Sequence, residues 1–271
     1  MKGCPSASTR WRKLVRAGSL ASLFFAAYCL SASQLSQPRV TQVVRDVKLV
    51  RAEAAAHSAA LSEMVADGAT LRTGAGSRAE LTFADQMIVR LGANTALRLD
   101  ATTGTMNLDE GATLFQIPTG APSAKIKSGA ISVESKGATG ILERHRNFYI
   151  KCLLLEGDAR AYLENQIGES LLMHPGQILI TKPDATSLPE PAYFDIARVM
   201  KTCLLVREFR PLPRLHSIEL EEQKQADLIR TGTYIPSNLV IFGRGTLVSL
   251  FNPAPPGKSG ASSTPQSTPG R

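Results

Sequence analysis

The sequence predicts an all-β core, a β-sandwich or β-solenoid-like stack of many short strands, followed by a C-terminal helical appendage and a disordered tail. Three observations lead there. Residues 40–182 are built of short β-branched and apolar runs, such as TQVVRDVKLV at 41–50 and MIVRL at 87–91. No apolar stripe of useful length at 3.6-residue spacing interrupts them. Glycine repeatedly opens the next run, at Gly68, Gly111, Gly129, Gly137, Gly157, Gly168 and Gly176. Glycine takes positive φ without a Cβ penalty, so each is a natural corner before a strand. The spacing is too uneven for a regular repeat.

The character changes at Leu188-Pro189-Glu190-Pro191. Residues 191–231 then read as helical. Ile196, Val199, Met200, Cys203, Leu204 and Val206 recur at helical spacing, and Pro211 and Pro213 end the run. Ser217 is placed to cap a second helix over 218–230, with Glu219, Glu221 and Glu222 in its first turn and Gly232 as its stop. Residues 232–251 form a short apolar segment, broken at Gly243-Arg244-Gly245, that suits a small hairpin. Residues 252–271 are rich in Pro, Ser and Gly and are expected to be disordered.

The 271 residues suffice for one sizeable core with appendages. Aromatic residues make up only 6%, so small and β-branched side chains must fill that core. The formal net charge is +8, of which +5 lies in residues 1–33, leaving a body near neutrality. Such a body carries no clustered basic footprint in its composition, so a nucleic-acid partner is not expected.

Residues 1–33 read as an export signal or an anchor. A basic stretch from Arg10 to Arg16 precedes an apolar run from Ala17 to Leu30. Fourteen apolar residues are short for a bilayer span, which takes about 20, and suit a signal-peptide core. Ser31 and Ser33 fit the small-residue positions before a cleavage site, so cleavage between Ser33 and Gln34 is expected. An uncleaved anchor over 17–33 is the alternative; lipidation at Cys29 is disfavoured by bulky Tyr28 before it. Both readings place the body outside the cytoplasm, in the periplasm or cell envelope. An oxidising compartment would permit a Cys152–Cys203 disulfide, but both residues sit in apolar runs and two buried thiols are the preferred reading.

The residue patterns for catalysis are missing. His57, His145, His174 and His216 show no ligand spacing with one another or with Cys, Asp or Glu, and no metal or other cofactor is expected. There is no G-x-S-x-G elbow. The glycines around Ser77 lack the Lys-Ser/Thr of a phosphate loop, and Asp109-Glu110 precede a glycine as turn residues do. No catalytic residue is therefore assigned. Arg144, His145 and Arg146, in a polar connection between two runs, are the candidate contact loop.

A family resemblance spans about Asp67 to Lys182. The residues that carry it run in order: Asp67-Gly68-Ala69-Thr70-Leu71-Arg72-Thr73-Gly74; Ser77-Arg78-Ala79-Glu80-Leu81-Thr82-Phe83; Asp85; Val89-Arg90-Leu91-Gly92-Ala93-Asn94-Thr95; Leu108-Asp109-Glu110-Gly111-Ala112; Gly137-Ala138-Thr139-Gly140; Leu155-Glu156-Gly157-Asp158-Ala159; and Pro175-Gly176-Gln177. This succession resembles the FecR domain, and a FecR-like β domain is accordingly placed over 40–182. The resemblance implies an extracytoplasmic all-β module. In the best-known members it is the periplasmic half of a sigma-factor regulator that senses an iron-uptake transporter. Those regulators carry a helical sigma-factor-binding domain before their membrane helix, whereas only about 16 residues precede the apolar run here. The resemblance then implies a free-standing exported module without a defined reaction. A non-catalytic binding module with an envelope protein, glycan or peptidoglycan partner is the first expectation. A membrane-anchored periplasmic regulator of the sigma-factor type is the alternative.

Overall fold

A computed structural model describes residues 36–52 and 54–236. The signal or anchor segment with its Ser33–Gln34 junction, most of the 232–251 segment and the 252–271 tail lie outside the described residues.

Strand β8 (Thr105–Gln116) organises the fold because it belongs to two sheets. Its first half pairs with β7 (Ala96–Asp100) on one side and, in parallel, with β9 (Ala124–Ser128) on the other. Its second half pairs with β6 (Ile88–Leu91) and β11 (Ala138–His145). Gly111 stands between the halves with φ +91°. A Cβ there would lie 2.5 Å from Thr95 Cα and 2.7 Å from the Asn94 carbonyl oxygen, so only glycine fits. Strands that pass between packed sheets turn at such bends and bulges.

The first sheet continues outward from these pairs. From β6 it runs to β5 (Arg78–Thr82) and β1 (Arg39–Val44). From β11 it runs to β12 (Tyr149–Gly157), β15 (Gln177–Thr181) and the short β16 (Ala192–Tyr193). The second sheet holds β3 (Ala54–Ser58), β2 (Val47–Arg51), β4 (Thr70–Thr73) and β7 on one side of β8. On the other side it holds β9, β10 (Ile131–Ser135), β13 (Ala159–Leu163) and β14 (Ser170–Met173). Every pairing except β8–β9 is antiparallel.

One apolar core lies between the sheets. Leu81, Val89, Leu91, Phe115, Leu142 and Leu154 of the first sheet pack with Leu49, Leu71, Leu97, Met106, Ile126 and Val133 of the second. The two-residue side-chain period of a strand puts alternate residues on this inner face. The sandwich form of the expected all-β core is therefore the one adopted, with helices at its C-terminal side.

The first sheet is buried on its outer face as well. Leu114, Ile141, Leu153, Leu155 and Ile178 point away from the sandwich core, into a second cluster with Phe194, Ile196, Val199, Cys203, Leu205, Leu212 and Ile218. These come from α1 (Ile196–Thr202), α2 (Leu204–Arg207), α3 (Leu215–Arg230) and their connections. Burial on both faces explains the near-continuous apolar run Ile150–Leu155 of β12, whose first eight residues are all buried. Asp195 caps α1 by accepting from the Arg198 amide at 3.0 Å. The helix over the second apolar run starts earlier than its sequence suggests. It begins at Leu215 after Arg214, and Ser217 lies inside it rather than at its cap. Docking of Leu212 and Ile218 on the sheet fixes that start before a serine cap is needed.

Gly111→Ala combines left-handed strain with a backbone clash and should cost about 2 kcal/mol or more of stability in urea unfolding. Gly120→Ala, at φ +88° but with open space around the new methyl, should cost about 1 kcal/mol.

Candidate interaction surfaces

The chemistry-bearing side chains fall into three settings: buried ion pairs under the helices, surface histidine pairs, and the β11–β12 hairpin tip. The buried pairs come first because burial of charge needs explanation. Glu80 and Arg90 face each other across β5 and β6 on the outer side of the first sheet. Arg90 is fully buried, and its Nε donates to Glu80 Oε2 at 2.9 Å. Its other nitrogens donate to the carbonyls of Leu205 at 3.0 Å and Arg210 at 2.6 Å. The guanidinium also lies over the Phe209 ring, 4.8 Å from its centroid. Arg90 thus ties the sheet to the chain around α2, and burial pulls its pKa below the usual arginine value while Glu80 opposes that.

Two further pairs repeat the arrangement. Lys151, fully buried, lies 2.5 Å from Glu143 Oε2 across β12 and β11. Tyr149 donates to Glu143 Oε1 at 2.6 Å, and burial with the adjacent carboxylate pushes its phenol well above the ordinary range. Glu156 is buried at the end of β12. It accepts from Thr139 Oγ1 at 2.7 Å and from both Nε and a terminal nitrogen of Arg214, each at 2.7 Å. This fork of two parallel bonds fixes the start of α3 on the sheet. Gln225 completes the attachment, donating to the Phe194 carbonyl at 2.8 Å and accepting from the Ile196 amide at 2.9 Å. Arg90, Glu156 and Gln225 are thus partnered across the sheet–helix interface, while Lys151, Tyr149 and Glu143 bind one another within the first sheet.

The histidines lie apart. His57 sits 2.7 Å from Glu63, His174 sits 2.8 Å from Asp158, and His216 is exposed on α3. Among the described residues no group of three His, Cys, Asp or Glu side chains converges on a metal position. A small apolar recess between Pro38, Val65, Phe83 and Leu99 encloses about 10 Å³, room for one water at most. Cys152 and Cys203 are both free, buried thiols; the first belongs to the inter-sheet core and the second to the cluster under the helices. Burial pushes the Cys152 thiol up to about 12.

The sequence-selected residues Arg144, His145 and Arg146 lie at the β11–β12 hairpin. Arg144 is half-buried, in register with Gly111 on one side and Ile150 on the other. His145 and Arg146 are exposed at the tip. Arg146 donates to Glu110 Oε2 at 2.7 Å, holding the tip against the bend of β8. The His145 ring meets Phe148 edge-on at 4.8 Å and stacks near Tyr149 at 5.7 Å. Phe148 escaped the sequence reading, although it follows Asn147 directly. It is 48% exposed, an aromatic presented on two otherwise buried strands.

Comparison with known proteins places part of this architecture. Residues 69–160 match the family model described as FecR protein. No curated protein matches the sequence. Among solved structures, two crystal structures of a "putative anti-sigma factor" from Parabacteroides distasonis are similar, at 14% and 13% identity with TM-scores of 0.42 and 0.43. The matches cover 48% and 51% of this chain and 62% and 64% of those chains, less than two thirds of their length.

Arg90→Ala leaves Glu80 and two carbonyls without their partner and should cost about 3–5 kcal/mol in chemical unfolding, with faster amide exchange over 196–230 than over the inter-sheet strands. Peptide mapping after thiol alkylation at pH 8 should find Cys152 unmodified in the native protein and fully modified in denaturant, because the thiolate is the reactive form.

Proposed function

We propose, from the FecR domain that residues 69–160 carry, that this chain is a non-catalytic, exported binding module of the bacterial cell envelope whose partner is an envelope protein or glycan. The observation that carries the reading is the β11–β12 tip. An exposed Phe148 stands beside His145 and Arg146 at the end of two strands whose bodies are buried, with Arg146 tied to Glu110. Exposed aromatic and arginine side chains on a fixed scaffold are the usual anchors of protein interfaces. The buried carboxylates Glu80 and Glu156, by contrast, are engaged in joining the first sheet to the helical segment through Arg90 and Arg214. The second reading is a membrane-anchored periplasmic regulator in sigma-factor signalling. It is favoured by the FecR domain itself and requires residues 17–33 to remain as an anchor.

Fractionation with mass spectrometry of the native N-terminus separates the two. A start at Gln34 in the soluble envelope fraction is expected for the binding module; an intact N-terminus in the membrane fraction would favour the anchored regulator. A photo-crosslinking amino acid at position 148 should give one discrete adduct in living cells, and one at exposed Ile167 should not. Phe148→Ala should weaken binding of the captured partner about tenfold or more, as loss of an interface anchor does. Equal adducts at both positions would remove the tip from the interface.

A further inference from the structure

The outer face of the second sheet differs from that of the first: no helix among the described residues covers it. Its side chains are set by register. Lys48 of β2 stands directly opposite Arg72 of β4. Arg98 of β7 follows one pleat along, opposite Thr70. Arg98 then pairs with Asn107 of β8, and Asn107 with Lys127 of β9. The basic groups therefore form an oblique track across five neighbouring strands, about 19 Å long at about 4.8 Å per strand.

The track has features that the fold alone does not require. The side chains of Lys48, Arg72 and Arg98 are exposed and make no ion pair or side-chain hydrogen bond among the described residues. Like charges directly opposite on adjacent strands are unfavourable, so Lys48 against Arg72 is a cost without a structural return. Acids stand on this sheet as well: Glu134 of β10 is in register with Lys125 and Arg160. Glu164 binds Lys125 at 2.6 Å and Lys127 at 3.6 Å, Asp100 accepts from the Thr103 amide at 3.0 Å, and Asp109 stands at the β8 bulge. Between the guanidinium and ammonium groups lie the neutral hydrogen-bonding side chains of Thr70 and Asn107, both half-buried.

We propose that this track binds an acidic polysaccharide laid across the strands. A line of charges with interleaved hydroxyl and carboxamide groups matches a chain that alternates carboxylates and sugar hydroxyls. Single-stranded nucleic acid is less well matched because it uses open aromatic faces for base stacking. The ring of Tyr162, on the same sheet, has Lys125 over it at 5.3 Å. The proposal rests on the reading of an exported envelope module but uses a surface other than the hairpin tip.

The test measures binding of fluorescently labelled oligogalacturonate, about ten units long, to the full chain in neutral detergent, by anisotropy from 20 to 200 mM NaCl. Labelled oligothymidylate of equal charge is the comparison. The wild type should bind the uronate more tightly than the thymidylate. The double variant Arg72→Gln/Arg98→Gln should bind at least tenfold more weakly at 20 mM NaCl and lower the slope of log affinity against log salt by about one to two, as loss of ionic contacts to a polyanion does. Its thermal midpoint should stay level or rise, which excludes misfolding as the cause. The hairpin variant Phe148→Ala should bind uronate as the wild type does, so failure of the tip as a partner site leaves this result intact. Unchanged affinity in the double variant, equal or tighter binding of thymidylate, or no uronate binding at 20 mM NaCl would each overturn the proposal.

Discussion

Strand β8 must serve two sheets at once, and the left-handed turn at Gly111 is what lets it. Before the turn, Met106 and Leu108 point into the core from the second sheet; after it, Phe115 and Ile117 point into the same core from the first side. Thr95 closes the bend from both directions, its hydroxyl donating to the Ala112 carbonyl and accepting from the Ala112 amide. The β11–β12 hairpin then pairs with the half of β8 beyond the bend, so its tip comes to lie against Glu110. The relative placement of both sheets, and of the proposed contact tip, follows from a single backbone conformation that side chains cannot share.

The helices are the second determinant. Residues 191–231 fall outside the matched family segment, yet they are built into the body through Arg90, Glu156 and Gln225. Apolar burial of Phe194, Val199 and Ile218 supplies the driving force. The ion pairs fix where each helix lies. Buried pairs add little net stability over apolar replacements, but once present they penalise any other docking that would leave Arg90 or Glu156 unpaired. Among the described residues, covering one sheet in this way leaves the outer face of the second sheet without a helix, with the side chains of Lys48, Arg72 and Arg98 exposed on it.

The candidate site was only partly legible. The polar step Glu143-Arg144-His145-Arg146-Asn147 between two apolar runs marked a connection, and two of its basic residues do stand at an exposed tip. Phe148 gave no signal, because an aromatic next to a strand is ordinarily a core residue and only the hairpin geometry turns it outward. The basic track was also hidden. Lys48, Arg72, Arg98 and Lys127 are separated by up to 79 positions in sequence and meet only through register. A near-neutral body charge concealed that Lys48, Arg72 and Arg98 gather on one face of the second sheet.

The sequence by itself determined the strand-rich core, the change to helix after Pro191 and most of the corners. Gly68, Gly111, Gly129, Gly157, Gly168 and Gly176 all take positive φ, while Gly137 instead permits a close approach to Thr119. These are local properties: a two-residue period, a helical period and the freedom of a residue without Cβ are readable wherever they occur. Tertiary structure decided the rest. It made a sandwich out of strands equally suited to a solenoid, kept Cys152 and Cys203 as thiols in separate clusters, and buried Arg90 and Lys151, whose alternating positions belong to a strand's solvent side until helices cover it. Pairing partners, and the face a distant helix will cover, depend on contacts between residues far apart in the chain, and no local pattern carries that information.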